Sequence, residues 1–531
     1  MDYRLFQGRQ RLICRFIPFL LWGLSSACLA QSTSDAWFGL ETPPSFAPHT
    51  LPALVGSRGP APATHPQSES QFTELQGDQI WPDLVEIVEI SKRSRANKEI
   101  GSGQLWGRIS GFDSGEETTR WAANKLREAG IEDVRLQSFT QAEDAEFWLP
   151  LSWELRLKAN PAFGANSQDI ILETAMPLSP SNIEGGKLSA QLVYAGTGSP
   201  AELANLDLQG KIAVQKVVPQ GHMVFERTPT VPRMRAMFEQ GAVAVINIMQ
   251  LPGNELATDF RNCGGPCFNI GGRDGAFLEK VLSEASLKGL QDSVTVEATL
   301  ETQIFTGLSA VNGVGVLPGS ESDETIIINA HVDAWFDGAG DNGDGLAVQI
   351  ALARHFAKPE NRTKRTLVFV ASAGHHTSGL NGPRNFVALN PELASKSVLA
   401  LNIEHVAQRN FVPARSQASD GYRDFVADVG EAPIVAGITN SAPFLEGLIE
   451  SGVALYGTNF VSEANTMASG EGGGYRSLEA PIVTTMQAPP LYHTSGEVLE
   501  AISEPGLERM ARFLAYFIKQ VDAAPRSAIS P

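Results

Sequence analysis

Beyond about residue 300 the chain alternates short apolar runs with helical patterns at a nearly regular rhythm. The run Thr325 to Asn329 precedes a helical pattern over Gly345 to Phe356, Thr366 to Ala371 precedes one over Asn381 to Ala388, and Ser397 to Ile403 follows. Strands alternating with helices predict an α/β fold, a mainly parallel sheet sandwiched by helices. In such sheets ligands bind beyond the carboxyl ends of the strands, so side chains at those ends are the candidates for chemistry.

Five places after residue 330 offer metal-ligating side chains, and four of them directly follow an apolar run. They are His331 and Asp333 in Ala-His-Val-Asp, Asp341 in Gly-Ala-Gly-Asp-Asn-Gly, His375 and His376 in Ala-Gly-His-His, Glu404 in Leu-Asn-Ile-Glu-His, and His493 in Leu-Tyr-His-Thr. Each alone has an ordinary explanation, since a single histidine is commonly a hydrogen-bonded structural residue and Asp-Asn-Gly a turn. Their joint placement at strand ends points to a metal centre, because imidazole and carboxylate are good zinc ligands and a carboxylate can bridge two ions. His405, next to Glu404, is read as a packing residue on the opposite face of a continuing strand. His355, within the helix starting near Gly345, is read as a surface residue. The sequence has no Gly-x-Ser-x-Gly elbow and no phosphate-binding loop, which excludes serine-hydrolase and nucleotide chemistry.

The runs Asn312-Gly313-Val314 and Leu317-Pro318-Gly319-Ser320, then Ile326 to Asp333 with Trp335, then Gly338-Ala339-Gly340-Asp341-Asn342, resemble the core of the two-zinc aminopeptidase and glutamate carboxypeptidase family. His331-Val332-Asp333-Ala334-Trp335 is especially similar to its plasma glutamate carboxypeptidase branch, and the resemblance covers about residues 80 to 160 and 300 to 520. That family has, in order, a His-x-Asp, a bridging Asp, a Glu-Glu pair, an Asp or Glu after a strand, and a final His in a Tyr-His-Thr context. The resemblance implies that His331, Asp341 and Glu404 hold one zinc and Asp341, His376 and His493 another, for one or two ions in all. It also implies that Asp333 accepts the free ring N–H of His331. The departure is at Gly374-His375-His376, where the family has Glu-Glu. His376 then replaces a carboxylate ligand by a neutral one, and His375 stands where the general base belongs, able to accept a proton as a neutral ring or to bind the metal itself and quench the site. Ser469 to Tyr475 matches the position of a substrate-lining loop, although a glycine-rich turn is an equal reading.

Before residue 300 the pattern changes to many short strands, including Leu192 to Tyr194, Lys211 to Val218 and Ala242 to Ile246, with a helix near Pro232 to Gln240. Leu192-Val193-Tyr194, Leu208 to Ile212 and Gly241 to Ile246 resemble the protease-associated domain inserted in several of these enzymes, which implies a role in substrate access or partner contact. The expected organisation is a secretory signal at 1–30, a flexible Pro/Ser-rich linker at 31–76, a first peptidase part at 77–160, the inserted domain at 161–300 and a second peptidase part carrying the metal site at 301–525. The signal rests on Arg4, Arg9, Arg11 and Arg15 followed by an apolar run and small residues ending at Ala30, and places the protein in the periplasm or outside the cell. Cys28 leaves a lipid anchor as the competing reading. In an oxidising compartment Cys263 and Cys267, four residues apart, are expected to form a disulfide. A formal charge of −18 argues against nucleic acid or an anionic membrane as partner, and no later stretch is apolar enough to span a bilayer. The function expected is a zinc metallopeptidase acting on peptides. The alternatives are a non-catalytic peptide-binding or scaffold protein of the same fold, and a single-zinc cyclase.

Overall fold

The computed structural model describes residues 35–51, 57–217, 230–258, 262–415, 423–440, 442–464, 466, 470–487 and 489–530. The expected signal, Cys28 included, lies outside them. Among the described residues no helix is long and apolar enough to cross a membrane.

The strands Thr325–His331, Thr366–Ser372 and Ser397–Ile403 are buried along their whole length. Alternation sends their side chains to two different cores. Ile326, Ile328, Leu367, Phe369, Leu399 and Leu401 face one helical layer, while Ile327, Val368, Val370 and Ala400 face the other. The thick layer contains the helices Gly77–Ala96, Asp113–Glu128, Asp344–Ala357, Pro443–Tyr456 and Glu504–Ala523; the thin one contains Gly382–Leu389 and the turn Gly470–Tyr475. Buried amide side chains tie these layers together. Gln349 donates to the carbonyls of Ile328 and Val370, and Asn329 donates to Asn402 while accepting from the Tyr475 hydroxyl.

Eight strands make this sheet. Its centre is parallel, in the order 366–372, 325–331, 397–403 and 482–487. Antiparallel pairings begin on each side, with Ser309–Leu317 and Asp133–Thr140 at one edge and Ile434–Ile438 joined to Ile482–Gln487 at the other. The expectation of a mainly parallel sheet therefore holds at the centre, where helical crossovers connect the strands, and gives way to a mixed sheet at the flanks.

A second eight-stranded sheet is built from residues 147–305 and has its own core around Trp153, Leu155, Val214, Ile246, Phe268, Phe277 and Val281. Its strand Phe147–Leu157 lies before the boundary expected at residue 161, because ten of its residues pair with Thr295–Phe305, all but Leu151. Cys263 and Cys267 are joined at the start of its strand Cys267–Ile270. The described part of the expected linker is not a free tether. Trp37 is 2% exposed against Phe163 and Phe277, and His49 Nδ1 lies 2.5 Å from Asp337 Oδ1. A few large anchors thus order a stretch whose average composition suggested none.

Candidate metal centre

The parallel strands stop together, and the loops that follow them converge. The loop after His331 is held by Arg108, a fully buried guanidinium that donates to the carbonyls of Val332, Asp337 and Gly338 and to Ser91 Oγ. Burial pushes this guanidinium down to about 10, opposed by the charges of Asp341, Asp333, Asp337 and Glu497. Gly338 makes the turn possible. Its φ is +54° and a Cβ there would meet the Ala334 Cβ at 2.3 Å. The loop after Ser372 is pinned by Ser110, whose hydroxyl accepts from Gly374 N and whose carbonyl accepts from Thr377 Oγ1.

These supports bring the imidazoles onto one carboxylate. Asp341, 1% exposed, has His331 Nε2 at 3.3 Å and His405 Nε2 at 2.8 Å from Oδ1, and His376 Nε2 at 3.2 Å and His493 Nε2 at 3.1 Å from Oδ2. Three groups of donor atoms lie mutually within 4.8 Å: His331, Asp341 and His405; Asp341, His376 and His493; and His331, His375 and His376. Within this cluster His331 Nε2, His376 Nε2, Asp341 Oδ2 and Glu404 Oε2 are buried and have no hydrogen-bond partner. Buried lone pairs of this kind aimed at one another are the signature of a cation site, and the donor set of imidazole and carboxylate suits a divalent transition metal.

Charge follows geometry. Burial works against the acidity of Asp341, but the facing His376 and His405 outweigh it and hold the carboxyl well below its usual range. Burial also opposes a charge on His405, yet Asp341 lifts this imidazole to about 9. His375 moves the other way: burial, and the neighbouring His331 and His376, push it well below the ordinary imidazole value. Its ring lies 4.3 Å from that of His331, its side chain is 20% exposed, and Nδ1 faces Glu471 Oε1 at 3.9 Å. Burial, with Asp333 and Glu404 nearby, raises the Glu471 carboxyl well above its usual range.

Several sequence expectations are redrawn. Asp333 does not serve His331 mainly through its carboxylate. The His331 Nδ1–H donates to the backbone carbonyl of Asp333 at 3.0 Å, with Oδ1 at 3.5 Å, while Oδ2 accepts from the backbone N–H of His376. Glu404 stands farther out than the histidines. Its Oε1 is 3.7 Å from His331 Nε2 and accepts from Glu471 N at 2.8 Å, and it packs so tightly on Gly470 that a Cβ there would lie 2.0 Å from Oε2. His405 is not a packing residue. The strand ends at Ile403, and His405 turns with φ +47°, which aims its ring at Asp341. His355 is not on the surface. It is 2% exposed, with Nδ1 2.8 Å from Glu74 Oε1.

A cavity of about 620 Å³ opens beside the cluster, between the two sheets. His376 and His493 are among its lining residues, and Phe147, Trp148, Met176 and Trp335 form apolar walls.

Residues 312–518 match the model of peptidase family M28. A probable glutamate carboxypeptidase of Arthroderma benhamiae is 37% identical over 98 residues, 18% of this chain and 13% of that protein. Leupeptin-inactivating enzyme 1 of Streptomyces exfoliatus is 26% identical over 247 residues, 44% of this chain. The matched regions span 13% and 53% of the lengths of these two curated relatives. Among solved structures, a peptidase M28 precursor from Shewanella amazonensis SB2B superposes with TM-score 0.57 at 19% identity over 86% of this chain and 99% of its own. BSAP, a zinc aminopeptidase from Bacillus subtilis, gives TM-score 0.55 at 18% identity over 86% and 98%. At such identities these likenesses concern the fold.

Proposed function

With residues 312–518 belonging to peptidase family M28, we propose that this chain is a zinc-dependent exopeptidase of the aminopeptidase or carboxypeptidase kind. The observation that carries the reading is the convergence of His331, His376 and His493 on the buried Asp341 at the carboxyl ends of the parallel strands. His331, Asp341 and Glu404 would hold one ion and Asp341, His376 and His493 a second, with Asp341 between them. Zinc, when bound, supplies a Lewis acid for a peptide carbonyl and an acidified water at neutral pH.

The remaining work falls to the chain. Asp333 fixes the backbone that carries His376, and the carbonyl of Asp333 fixes the tautomer of His331. His375, pushed low, is a neutral ring at neutral pH and can accept a proton at a nitrogen. The apolar walls of the adjoining cavity exclude water around a bound peptide, which strengthens every polar interaction at the centre. We place the unit around the second sheet, expected at 161–300 and extending over 147–305, as a protease-associated domain that shapes access to this cavity. The place of action proposed is the periplasm or the exterior, on the strength of the leader pattern at 1–30 and the joined Cys263 and Cys267.

One observation favours a second reading. His375 shares a group of close donor atoms with His331 and His376, so its ring can take the position that a reacting water needs and leave a metal-bound, non-hydrolytic peptide binder. Metal analysis of the purified protein, followed by dipeptides and aminoacyl reporters before and after chelation, tests both. Turnover lost with chelator and restored by zinc is the expected result. Bound zinc without turnover on any substrate favours the binder, and absence of bound zinc overturns both.

A further inference from the structure

His405 has no counterpart in the ligand set drawn from the sequence, yet its ring is the nearest of the four imidazoles to Asp341. Its Nδ1 lies 2.8 Å from the carbonyl of Gln487, a group that only accepts, so Nδ1 carries the proton. When a cation is bound, the neutral ring would direct its Nε2 lone pair toward the ion shared with Asp341 Oδ1, which lies 2.8 Å from Nε2. Without a metal, Asp341 favours a second proton on Nε2, held in this contact; a divalent cation bound to both groups would take that proton's place. The same oxygen faces His331 Nε2 at 3.3 Å, and the three donors form one group within 4.8 Å.

The ring is also held in place from behind. Asn342 Oδ1 accepts from the backbone N–H of His405 while Asn342 Nδ2 donates to the Ile403 carbonyl, and Gln487 N donates to the His405 carbonyl. His405 is kept in the left-handed region at φ +47° by these bonds, a conformation unusual for a residue with a Cβ. A fixed tautomer, a clamped backbone and a buried lone pair on a shared carboxylate are the features of a metal ligand supported by its surroundings.

Building on the metallopeptidase reading, we propose that His405 is a direct ligand of the ion held by His331 and Asp341. With Glu404 beside them this first position has four protein donors and is closed, whereas the second, formed by Asp341, His376 and His493, has three and stays open. Closed four-donor zinc sites are structural, and sites with three protein ligands admit water or substrate. The two positions therefore divide the work: the first ion anchors Asp341, and the second receives the substrate.

The test is zinc binding to full-length protein carrying His405→Asn, compared with wild type and His405→Ala. Asparagine tolerates the left-handed backbone and can still hydrogen-bond to Asp341, but it is a poor zinc ligand. Zinc content and calorimetric titration should show one site at wild-type affinity and the other weakened at least about 10- to 100-fold in both variants. Two sites at wild-type affinity in His405→Asn would overturn the proposal and make His405 a hydrogen-bonding support for Asp341. If the variants do not fold, a zinc-edge anomalous map of wild-type crystals decides: Nε2 of His405 about 2.0–2.1 Å from a zinc peak supports direct ligation, and a hydrogen bond to Asp341 without such contact overturns it. Wild-type protein that takes up no zinc removes the metallopeptidase reading together with this one.

Discussion

At Asp341 one carboxylate faces imidazoles delivered by one strand end and three loops, so its loss removes the common partner of all of them. Asp341→Ala should lower zinc affinity by more than the 10- to 100-fold typical of a residue that only hydrogen-bonds to a ligand, read by metal content after dialysis. An unchanged content would show that the bridge is elsewhere. His375 permits a sharper test. If it accepts the proton, His375→Ala should cost about 10²- to 10⁴-fold in kcat with zinc retained, and His375→Glu should keep activity. Because the neutral ring is the useful form and its pKa is depressed, the acid limb of the rate profile should fall below pH 6.5, and the limb should vanish in His375→Glu or be replaced by a carboxylate's. An active wild type with an undiminished His375→Ala variant would assign the proton acceptor to another residue. His331, His376 and His493 were legible in the sequence because each sits at or just after an apolar run, and Asp341 because Gly338 to Asn342 resembles the setting of the family's bridging Asp. His405 was not. The alternation rule assumes that a strand continues, and here it ends two residues earlier, a fact set by the contacts of Asn342 and Gln487 with residues distant in sequence.

The elements were easier to read than their surroundings. The expected helix Gly345 to Phe356 and strands Thr366 to Ala371 and Ser397 to Ile403 differ from the observed Asp344–Ala357, Thr366–Ser372 and Ser397–Ile403 by two residues or fewer at each end. Local apolar periodicity suffices for a buried strand between helices. It does not report which side of a helix is covered, and the misreading of His355 follows from this, since helix 344–357 is packed on nearly every side. The sequence order likewise carried no sign of the antiparallel edges. The last long helix supplies a prediction at this scale. Ser503 caps Glu504–Ala523 by accepting from Gly506 N, and its hydroxyl donates to Glu431 Oε1, which also binds Arg509 at 2.9 Å. Ser503→Ala removes the cap and loosens that buried ion pair, and should cost about 1–2 kcal/mol in denaturant unfolding. A change below the error of the measurement would mean that tertiary packing alone fixes the start of the helix.

At the scale of the molecule, the two sheets meet through the loop that carries His493. Ala257 bridges Thr494, Thr258 N donates to the His493 carbonyl, Ser495 N donates to the Leu256 carbonyl, and Leu256 N donates to Ser495 Oγ. A metal held at His493 therefore braces the second sheet as well as the first, and chelation should lower the melting temperature of the whole chain; binding at 100 times Kd is worth about 2.7 kcal/mol per site. The same seam contains Glu255, whose Oε2 accepts from Ser495 Oγ at 2.6 Å and whose carboxyl is pushed up to about 7 by burial. Below the unfolded value of about 4.3 this carboxyl is neutral in both states and exerts no penalty. Between there and about 7 the unfolded chain releases the proton while the folded chain retains it, so the stability present at low pH is lost as pH rises through the folded value, and the deficit stays constant above it. Glu255→Gln keeps the acceptor for Ser495 and never ionises. In metal-free protein the variant should melt close to wild type near pH 4 and above it at pH 8, with the gap opening between pH 5 and 7 and amounting to no more than about 4 kcal/mol. A gap that is the same at every pH would show that Glu255 is already ionised in the folded chain, and that the seam between the sheets contains a charge that burial opposes.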